Sequence, residues 1–349
     1  MPITPNLVER LLFSPLNQAP GPLLDIWSAV GFRVVLAAVR LQIFDALLPA
    51  PLSAPELAQK LQLDAQGTTV LLETLVALGY VHKVNDRYAN TAMTEKWLTS
   101  SAAVDFSAYV RYWGGLLTER WADLEASLRT GQPATDLYAW LAQQPQTAAD
   151  FQAGMAALAQ FLLPEITSKL ELPPDIQRLL DVGGGHAFYS IALCRQYPQL
   201  TATVFDSPQA LQAAAANVAR AKLEQRITLQ AGDFRLDHLG ENYDVVLLFN
   251  LIHGFTPEVN GHLFAKVSAA LRPGGRVVIL EQLAGGASTR LGHTLSQLLD
   301  ISYFHLLGGQ VYLYREVTQW LKEAGFIRIQ RIKLVRTPGN YLLIGTKVS

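Results

Sequence analysis

The chain has 349 residues, of which 50% are apolar and 16% are charged, and its formal net charge is −1. This length is sufficient for two domains with separate cores, and the nearly balanced charge argues against nucleic acid or an acidic membrane surface as a partner. The single cysteine, Cys194, cannot form an internal disulfide and indicates a reducing compartment. The N-terminal residues lack the pattern of a secretory signal, so we expect a soluble, cytoplasmic protein.

The N-terminal segment is predicted to be an arm followed by one long helix. Residues 1–20 are rich in proline and form the predicted arm. Leu23 to Leu48 is apolar enough to span a bilayer by length, but it carries four charged residues. We therefore expect a helix, broken near Gly31, that is buried against protein, for example against a partner subunit.

Turn and cap residues predict a winged helix-turn-helix in the next forty residues. The signals are, in chain order, a capping box from Ser53 to Glu56 that opens the helix Pro55–Leu61, Asp64 and Gly79 bounding the helix Ala65–Leu78, and Asn85-Asp86 joining the strands Tyr80–Lys83 and Arg87–Asn90. The second helix contains neither Lys nor Arg, whereas binding to a DNA groove needs several cations. DNA binding is therefore disfavoured.

The remainder of the chain predicts a helical segment and then an α/β domain. Ser107 to Leu170 is predicted to be helical throughout, with its aromatic residues mostly in the core. The strands expected after it are Leu179–Val182, Thr201–Phe205, Ile227–Ala231, Tyr243–Phe249, Arg276–Leu280, Phe326–Val335 and Tyr341–Lys347. The last two are joined by the short turn Thr337–Asn340 and must be antiparallel. We predict two domains, residues 1–170 and 171–349.

The stretch from Arg178 to Ser207 predicts a nucleotide-type site. It has the pattern of a strand, a turn of three glycines, a helix and a second strand that ends in Asp206. The glycines allow a ligand to lie against the main chain, and the acid suits ribose hydroxyls. A dinucleotide fold expects glycine or alanine where this chain has Phe188, so a different nucleoside-bearing cofactor is favoured.

This stretch resembles motif I of the class I S-adenosylmethionine-dependent methyltransferases, in particular the small-molecule O-methyltransferases with an N-terminal dimerisation domain. Their motif D-V-G-G-G-T-G differs here at His186 and Ala187. The resemblance implies a Rossmann-like methyltransferase sheet, mostly parallel with an antiparallel C-terminal hairpin, beside a mainly helical winged-helix domain. It also implies S-adenosylmethionine as cofactor, S-adenosylhomocysteine as product, and a homodimer formed through the N-terminal domain. No metal ligands are assigned.

The resemblance also implies the roles of the cofactor residues. Asp206 would hold the ribose, Asp233 would accept a bond from the adenine amino group, and Phe234 would pack on the adenine. The glycines would face the methionine part. For the two acids, a helix cap or a turn is the structural alternative. The predicted cofactor set is Asp181, Gly183, Gly184, Gly185, Asp206, Ser207, Gly232, Asp233, Phe234 and Asn250.

A base and its orienting acid are predicted at the ends of two strands. His253 follows the fourth strand and Glu281 ends the fifth, and neighbouring strands lie about 4.8 Å apart. The carboxylate would then fix the imidazole tautomer, as in other catalytic pairs. The family's L-H-D-W motif matches His253, although Gly254 replaces the acid after it, Val311 replaces a second acid, and Phe249 replaces a polar residue. A purely structural role is the alternative for His253.

The acceptor pocket is predicted from the same resemblance to be apolar and aromatic, which suits a flat, hydrophobic, small-molecule acceptor. Its predicted residues are Phe151, Met155, His253, Tyr303, Phe304, His305 and Leu307. Core packing is an alternative role for several of them, and His186 also lies near enough to the glycine turn to touch cofactor or acceptor. O-methylation is the preferred reaction. C-methylation of a large planar pigment, a cofactor-sensing winged-helix regulator and a nicotinamide-dependent oxidoreductase remain as alternatives.

Overall fold

The computed structural model describes Val8 and residues 21–286, 289–337 and 339–348. The predicted N-terminal arm, apart from Val8, and Pro338 in the predicted C-terminal turn lie outside the described residues. The chain forms two compact units, Met1–Thr118 and Glu119–Ser349. The boundary near residue 170 follows the change in sequence pattern, and it stays a prediction.

The first unit begins with two helices where one was predicted. Helix α1 spans Pro22–Arg40 and runs through Gly31 without a break, and the short helix α2 spans Ile43–Ala46. The interruption lies instead at Gln42, whose φ of 57° places it in the left-handed region. A residue in this conformation cannot continue a right-handed helix, so the predicted break near Gly31 is wrong in position.

The winged helix-turn-helix is confirmed. It consists of α3 (Ala54–Leu61), α4 (Ala65–Ala77), β1 (Val81–Val84) and β2 (Arg87–Asn90), and the helices α5 (Ala92–Trp97) and α6 (Ser107–Gly115) complete the first unit. Ser53 and Glu56 form the full capping box, and the Asp64 carboxylate accepts a bond from the Gly67 amide. Asn85 and Asp86 both have positive φ, as a two-residue hairpin turn of type I′ requires.

Helix α1 is long and apolar enough to cross a membrane, judged by length and composition among the described residues. Core helices of globular proteins meet the same criterion, and α1 contributes Val35, Leu36, Ala38 and Val39 to the interior of the first unit. Its first half carries exposed apolar side chains, including Ile26 and Trp27.

The second unit starts with helices that are interrupted where the sequence predicted a continuous helical segment. They are α7 (Leu124–Thr130), α8 (Leu137–Ala142) and α9 (Pro145–Lys169). Gly131 ends α7 in the left-handed conformation, with φ of 73°. Asp136 then caps α8, and its carboxylate accepts a bond from the Ala139 amide. These two local signals divide the segment, and the prediction of unbroken helix is wrong there.

A seven-stranded sheet forms the centre of the second unit and confirms the predicted fold class. Its strand order is β5-β4-β3-β6-β7-β9-β8. The first five strands in this order pair in parallel, and β9 pairs antiparallel with both β7 and β8. The strands are β3 (Arg178–Val182), β4 (Thr201–Asp206), β5 (Ile227–Ala231), β6 (Tyr243–Phe249), β7 (Leu271–Gln282), β8 (Phe326–Lys333) and β9 (Asn340–Lys347).

Strand β7, the fifth strand of the sheet in chain order, begins at Leu271 and not at Arg276 as predicted. Leu271 pairs with Tyr243 and Arg276 pairs with Val245, so the residues between Leu271 and Arg276 bulge out of the ladder. Gly274, with φ of 74°, makes this bulge possible. The remaining helices are α10 (Phe188–Gln196), α11 (Pro208–Ala221), α12 (Pro257–Ala270), α13 (Arg290–Leu307) and α14 (Tyr314–Glu323).

Apolar layers cover both faces of this sheet. Alternate residues of the central strands belong to different buried clusters, with Leu179 and Val245 in one and Leu180 and Val246 in the other. Burial on both faces explains the continuous apolar runs in the sequence. Because the central strands are parallel, their carboxyl ends share one edge of the sheet.

Candidate active site

The glycine turn after β3 is tied to the end of β4. The Gly183 amide donates to the Phe205 carbonyl at 2.8 Å, and the Gly185 amide donates to Oδ2 of Asp206 at 2.9 Å. Gly183 has φ of 73°, and a Cβ at Gly184 would lie 2.6 Å from Cγ of Asp181. Added side chains at Gly183 and Gly184 would collide with Leu251, Asp181 and Val204, so close packing requires glycine at both positions. We call the main chain of Gly183 to Gly185 the cradle.

Asp206 is held at the rim of this cradle. Its Oδ1 accepts a bond from the Ser207 amide at 2.6 Å, and the Ser207 hydroxyl caps α11. Burial raises the pKa of Asp206, and the bonds from Ser207 and Gly185 partly offset this effect. The cap that sequence reasoning gave as an alternative thus belongs to Ser207, while Asp206 orients the glycine turn.

Asp181 is a buried carboxyl with an incomplete set of partners. It is 1% exposed, its Oδ2 accepts a bond from the Ser190 hydroxyl at 2.7 Å, and its Oδ1 has no partner among the described residues. Burial raises its pKa from 3.8 to about 7, with a further increase from the nearby Asp206. The unpaired oxygen behind the glycine turn leaves capacity for a cationic or hydrogen-bonding ligand. Ser190 gave no signal in the sequence.

The two departures from the family motif are accommodated in different ways. Ala187 adopts φ of 63°, the left-handed conformation for which glycine is preferred. Nδ1 of His186 accepts a bond from the Phe188 amide at 3.2 Å, and the His186 ring stacks on that of Phe188 with 5.2 Å between centroids. Burial lowers the pKa of His186 to about 4, so this imidazole is neutral at physiological pH.

The loop after β5 is organised by two cations that sequence reasoning did not identify. Arg235 donates to both carboxylate oxygens of Asp233 through Nε and Nη2, and this pair lowers the pKa of Asp233. Nζ of Lys266 donates to the carbonyls of Phe234 and Asp237 at 2.7 and 3.0 Å. Arg235 follows Asp233 by two residues and was visible in the sequence, whereas Lys266 lies on α12 and was not.

Three further predicted cofactor residues surround the same edge. Phe234 is buried and its ring meets that of Phe255 edge to face, with 4.9 Å between centroids. Gly232 donates its amide to the Asp206 carbonyl at 3.0 Å, which joins the loop after β5 to the end of β4. Asn250 is exposed, with φ of 50° and its amide bonded to the Leu280 carbonyl.

His253 and Glu281 meet as their strand positions predicted. Nδ1 of His253 lies 2.8 Å from Oε1 of Glu281, and the His253 amide donates to Oε2 at 3.4 Å. The carboxylate also accepts a bond from the Gln282 amide at 3.1 Å. Because a carboxylate accepts at Nδ1, that nitrogen carries the proton and the Nε2 lone pair is available as a proton acceptor. The side chains are 13% and 1% exposed.

The C-terminal end of α13 packs against this histidine. The Tyr303 ring lies face to face with the imidazole of His253, with 3.9 Å between centroids and 15° between planes. A Cβ at Gly309 would overlap the carbonyl oxygen of His253, so only glycine allows the two backbones to approach this closely. Three contacts therefore fix the position of His253: Glu281 at one ring edge, Tyr303 on one ring face, and Gly309 against the main chain.

Four other predicted pocket residues, Phe151, Met155, Phe304 and Leu307, are half-buried in the second unit. His305 is different, because it is fully buried and its two ring nitrogens lie 2.9 Å from the Ser127 hydroxyl and 2.9 Å from the Arg120 carbonyl. Both nitrogens are engaged by the protein, so we correct the predicted acceptor contact of His305 to a structural one. Its position beside Tyr303 gave no indication of this.

Position 311, where the family motif was expected to have a second acid, holds a valine. Val311 is buried, and its amide donates to Oδ1 of Asp300 at 2.7 Å. Gly254 likewise offers no side chain after the histidine. Glu281 is thus the carboxylate that contacts the imidazole among the described residues.

The topology of the sheet and the glycine turn together define the class of protein to which the chain belongs. A mostly parallel sheet that ends in an antiparallel hairpin, with a glycine turn after β3 and an acid at the end of β4, is the arrangement of a class I S-adenosylmethionine-dependent methyltransferase. The cradle and the unpaired oxygen of Asp181 fit that cofactor.

Comparison with known proteins identifies the family within this class. Residues 121–327 match the O-methyltransferase domain, and residues 28–100 match the O-methyltransferase dimerisation domain. The first match alone covers more than half of the chain, so the chain belongs to the O-methyltransferase family and is an S-adenosylmethionine-dependent methyltransferase. The dimerisation domain coincides with α1 and the winged helix.

Individual relatives are similar over nearly the whole chain. The 3-hydroxy-5-methyl-1-naphthoate 3-O-methyltransferase of Streptomyces sahachiroi is 28% identical over 318 residues, which are 90% of this chain and 91% of the relative. The L-tyrosine C(3)-methyltransferase of Streptomyces lavendulae is 29% identical, with 95% of each chain covered. The solved structure of human N-acetylserotonin methyltransferase in complex with S-adenosylmethionine has a TM-score of 0.82 at 23% identity, and all of both chains is covered.

The raised pKa of Asp181 predicts a pH dependence of stability. A carboxyl whose pKa rises from 3.8 to about 7 on folding destabilises the folded state as it loses its proton across that range. Asp181→Asn removes this contribution. In urea denaturation without cofactor, the free energy of unfolding of the variant relative to wild type is expected to rise by about 1–3 kcal/mol between pH 5 and pH 8.

Asp86→Asn is the matched control, since the Asp86 side chain is 94% exposed in the hairpin turn. Its stability relative to wild type should not change over this pH interval. Parallel pH curves for wild type and Asp181→Asn would contradict the assignment.

Proposed function

We propose that this enzyme transfers the methyl group of S-adenosylmethionine to a hydroxyl of a small, hydrophobic, aromatic acceptor, with His253 as general base. The observation that carries the proposal is the 2.8 Å contact between His253 and Glu281 at the sheet edge that also presents the glycine turn and Asp206. The naphthoate 3-O-methyltransferase among its relatives supports an aromatic hydroxyl as the acceptor.

The cofactor would be held at three successive strand ends. Asp206 would bind the ribose hydroxyls, and the main chain of Gly183 to Gly185 would line the methionine part. Asp233 and Phe234 would contact the adenine, with Lys266 holding the carbonyl of Phe234 in place. Asp181, Ser207, Gly232 and Asn250 would complete the contact set. When bound, S-adenosylmethionine supplies a methyl group that its sulfonium already activates, and the product is S-adenosylhomocysteine.

The chain's own chemical task is then proton removal and alignment. Nε2 of His253 would accept the proton of the acceptor hydroxyl as that oxygen takes the methyl group that the bound cofactor would supply. Glu281 keeps the proton on Nδ1 and stabilises the imidazolium that results. The proton is afterwards released to water, which restores the neutral imidazole. The products are the methyl ether and the demethylated cofactor.

The acceptor would lie among half-buried side chains of α9 and α13. Phe151, Met155, Phe304 and Leu307 are apolar, and Tyr303 adds a second aromatic surface beside the base. Pockets lined in this way favour flat, hydrophobic molecules, with few polar groups to fix their orientation. We infer from this lining that specificity depends more on shape than on charge.

C-methylation is the second candidate, and two observations favour it. The L-tyrosine C(3)-methyltransferase is similar over 95% of the chain, and this chain lacks the acids expected at Gly254 and Val311. With cofactor labelled with ¹³C in the methyl group, the carbon chemical shift of the product distinguishes a methyl bound to oxygen from one bound to carbon. Under our first proposal, the labelled methyl is bound to oxygen.

Substitution of the proposed base separates chemistry from binding. His253→Gln is expected to lower kcat by about 100-fold or more, because general base catalysis is lost. The dissociation constant for S-adenosylhomocysteine, measured by calorimetry, should stay within about twofold of wild type, since the imidazole is not part of the proposed cofactor set. Turnover is measured by mass spectrometry with 3-hydroxynaphthoates as acceptors.

His262→Gln is the control for this experiment, because His262 is an exposed histidine on α12. It should retain wild-type kcat. Equal losses of turnover and cofactor affinity in His253→Gln would instead give His253 a structural role, and unchanged turnover would exclude it as the base.

Asp206→Ala tests the cofactor site separately. The carboxylate both orients Gly185 and is proposed to bind the ribose, so its loss should weaken binding of S-adenosylhomocysteine by about 30-fold or more, equivalent to about 2 kcal/mol. Calorimetry measures this directly. An affinity close to that of wild type would contradict the ribose assignment, whatever the catalytic activity of the variant.

We further propose that the protein is a cytoplasmic homodimer formed through its first unit. The apolar side chains Leu23, Ile26, Trp27 and Val30 are spaced along one side of α1, and each is between 44% and 57% exposed. A cavity of about 250 Å³ in the same unit is lined partly by Gly31 and Phe32 of this helix. Contiguous exposed apolar surface of this kind is typical of subunit interfaces. The match to a dimerisation domain supports a second copy as the partner.

Charged substitutions on α1 should therefore dissociate the dimer. Ile26→Glu combined with Trp27→Glu is expected to shift the protein from dimer to monomer in sedimentation velocity experiments, because two charges would be buried at the interface. Ile327→Glu is the matched control, since Ile327 is 45% exposed on β8. Monomeric wild type, or a dimer that persists in the double variant, would contradict this interface.

A further inference from the structure

The imidazole of His253 has more support than its carboxylate partner provides. Glu281 contacts one edge of the ring through Nδ1, and the Tyr303 ring covers one face at a centroid distance of 3.9 Å. No described protein group forms a hydrogen bond with Nε2. The Nε2 edge of the ring, which would face an acceptor, is thus left accessible, while Glu281 holds the Nδ1 edge and Tyr303 covers one face.

Among the described residues, Glu281 on β7 and Tyr303 on α13 contact this ring. The carboxylate of Asp300, also on α13, accepts a bond from the Val311 amide. The Tyr312 hydroxyl donates to the carbonyl of Phe255 at 2.5 Å. Val311 and Gly254 have no charged side chains. A protonated His253 would therefore have Glu281 as its carboxylate partner.

An aromatic face can take over part of that electrostatic task. The face of a tyrosine ring is negative, and a cation placed over it is attracted most strongly when both groups are shielded from water. The nearly parallel planes, 15° apart, place the imidazole over this face. Proton transfer to Nε2 would change the imidazole from neutral to cationic without moving either ring.

We propose that Tyr303 is a positioning residue that supports the protonated form of His253 together with the Glu281 carboxylate. The proposal rests on the function proposed for His253 as the base. It assigns to the Tyr303 ring, and not to its hydroxyl, a selective stabilisation of the state in which the base carries the acceptor's proton. An interaction that strengthens only after proton transfer accelerates the chemical step and does not merely tighten binding.

The variants Tyr303→Phe and Tyr303→Leu separate the ring from the hydroxyl. With histidine labelled with ¹³C at Cε1, and with the signal of His253 assigned through His253→Gln, an NMR titration follows the imidazole without any acceptor. Loss of the ring should let the imidazole release its proton at lower pH. We expect the titration midpoint to fall by about 0.5 to 1.5 pH units in Tyr303→Leu and to be unchanged in Tyr303→Phe.

The kinetics should also distinguish loss of the Tyr303 ring from loss of its hydroxyl. With 3-hydroxynaphthoates as acceptors, Tyr303→Leu is expected to lower kcat by about 3- to 30-fold and to move the acidic limb of the pH–rate profile to lower pH. The KM for S-adenosylmethionine should be unchanged. Tyr303→Phe, which keeps the ring, should retain the acidic limb of the wild-type profile and a kcat closer to wild type than that of Tyr303→Leu.

Phe304→Leu is the control for loss of aromatic packing on the same helix, since Phe304 makes no ring contact with His253 among the described residues. Its titration midpoint should equal that of wild type. A fall as large as in Tyr303→Leu would overturn the proposal, as would an unchanged midpoint in a folded Tyr303→Leu variant. If Tyr303→Leu does not fold, Tyr303→Met, which is closer in length, is judged by the same midpoint.

The two proposals fail in distinguishable ways. If His253→Gln keeps wild-type turnover, His253 is not the base, and the kinetic role of Tyr303 falls with it. If His253→Gln is inactive but the titration and the kcat of Tyr303→Leu match wild type, His253 remains the base and the role of Tyr303 alone is excluded.

Discussion

The parallel alignment of four strands is the constraint on which the whole site depends. Backbone hydrogen bonds fix the register, so Phe249 lies opposite Leu280, and the residues that follow both strands emerge at the same edge. His253, four positions beyond Phe249, and Glu281, one position beyond Leu280 at the end of β7, can therefore meet. The glycine turn and Asp206 emerge from the two strands on the other side of β6. The His253 and Glu281 pair and the glycine turn are thus placed by the same ladder of main-chain bonds.

Helix α13 has two separate tasks within a single turn. On one side His305 binds the Ser127 hydroxyl and the Arg120 carbonyl, which anchors the helix to the segment before and within α7. Two residues earlier, Tyr303 covers the face of the proposed base. An anchored helix can hold a stacked ring at a constant distance. His305 thereby contributes to the geometry of His253, although the two side chains have unrelated partners.

Much of the fold could be predicted because it is encoded locally. Caps such as Ser53 and the turn at Asn85 and Asp86 have side chains or backbone preferences that act within a few residues. The meeting of His253 and Glu281 could also be predicted, since adjacency of strands follows from the topology. The break at Gln42 was not predictable, because glutamine has no preference for the left-handed conformation that it adopts there.

Contacts between distant segments account for the rest of what sequence reasoning missed. Lys266 holds a loop thirty residues earlier in the chain, and His305 binds groups almost two hundred residues away. Nothing in the composition around either residue distinguishes it from a surface lysine or a pocket histidine. The Asp233 and Arg235 pair is a different case, since it is local, but its geometry depends on a loop whose shape the sequence does not specify.

The close approach of Gly309 to the main chain of His253 limits how this enzyme can be altered to accept new compounds. Because a methyl group at residue 309 would collide with the carbonyl of His253, the residue at this position after α13 cannot be used to reshape the proposed acceptor pocket. Changes within α13, at Phe304 or Leu307, replace side chains without displacing that carbonyl. A library for altered acceptor preference should therefore vary the helix and keep Gly309 fixed.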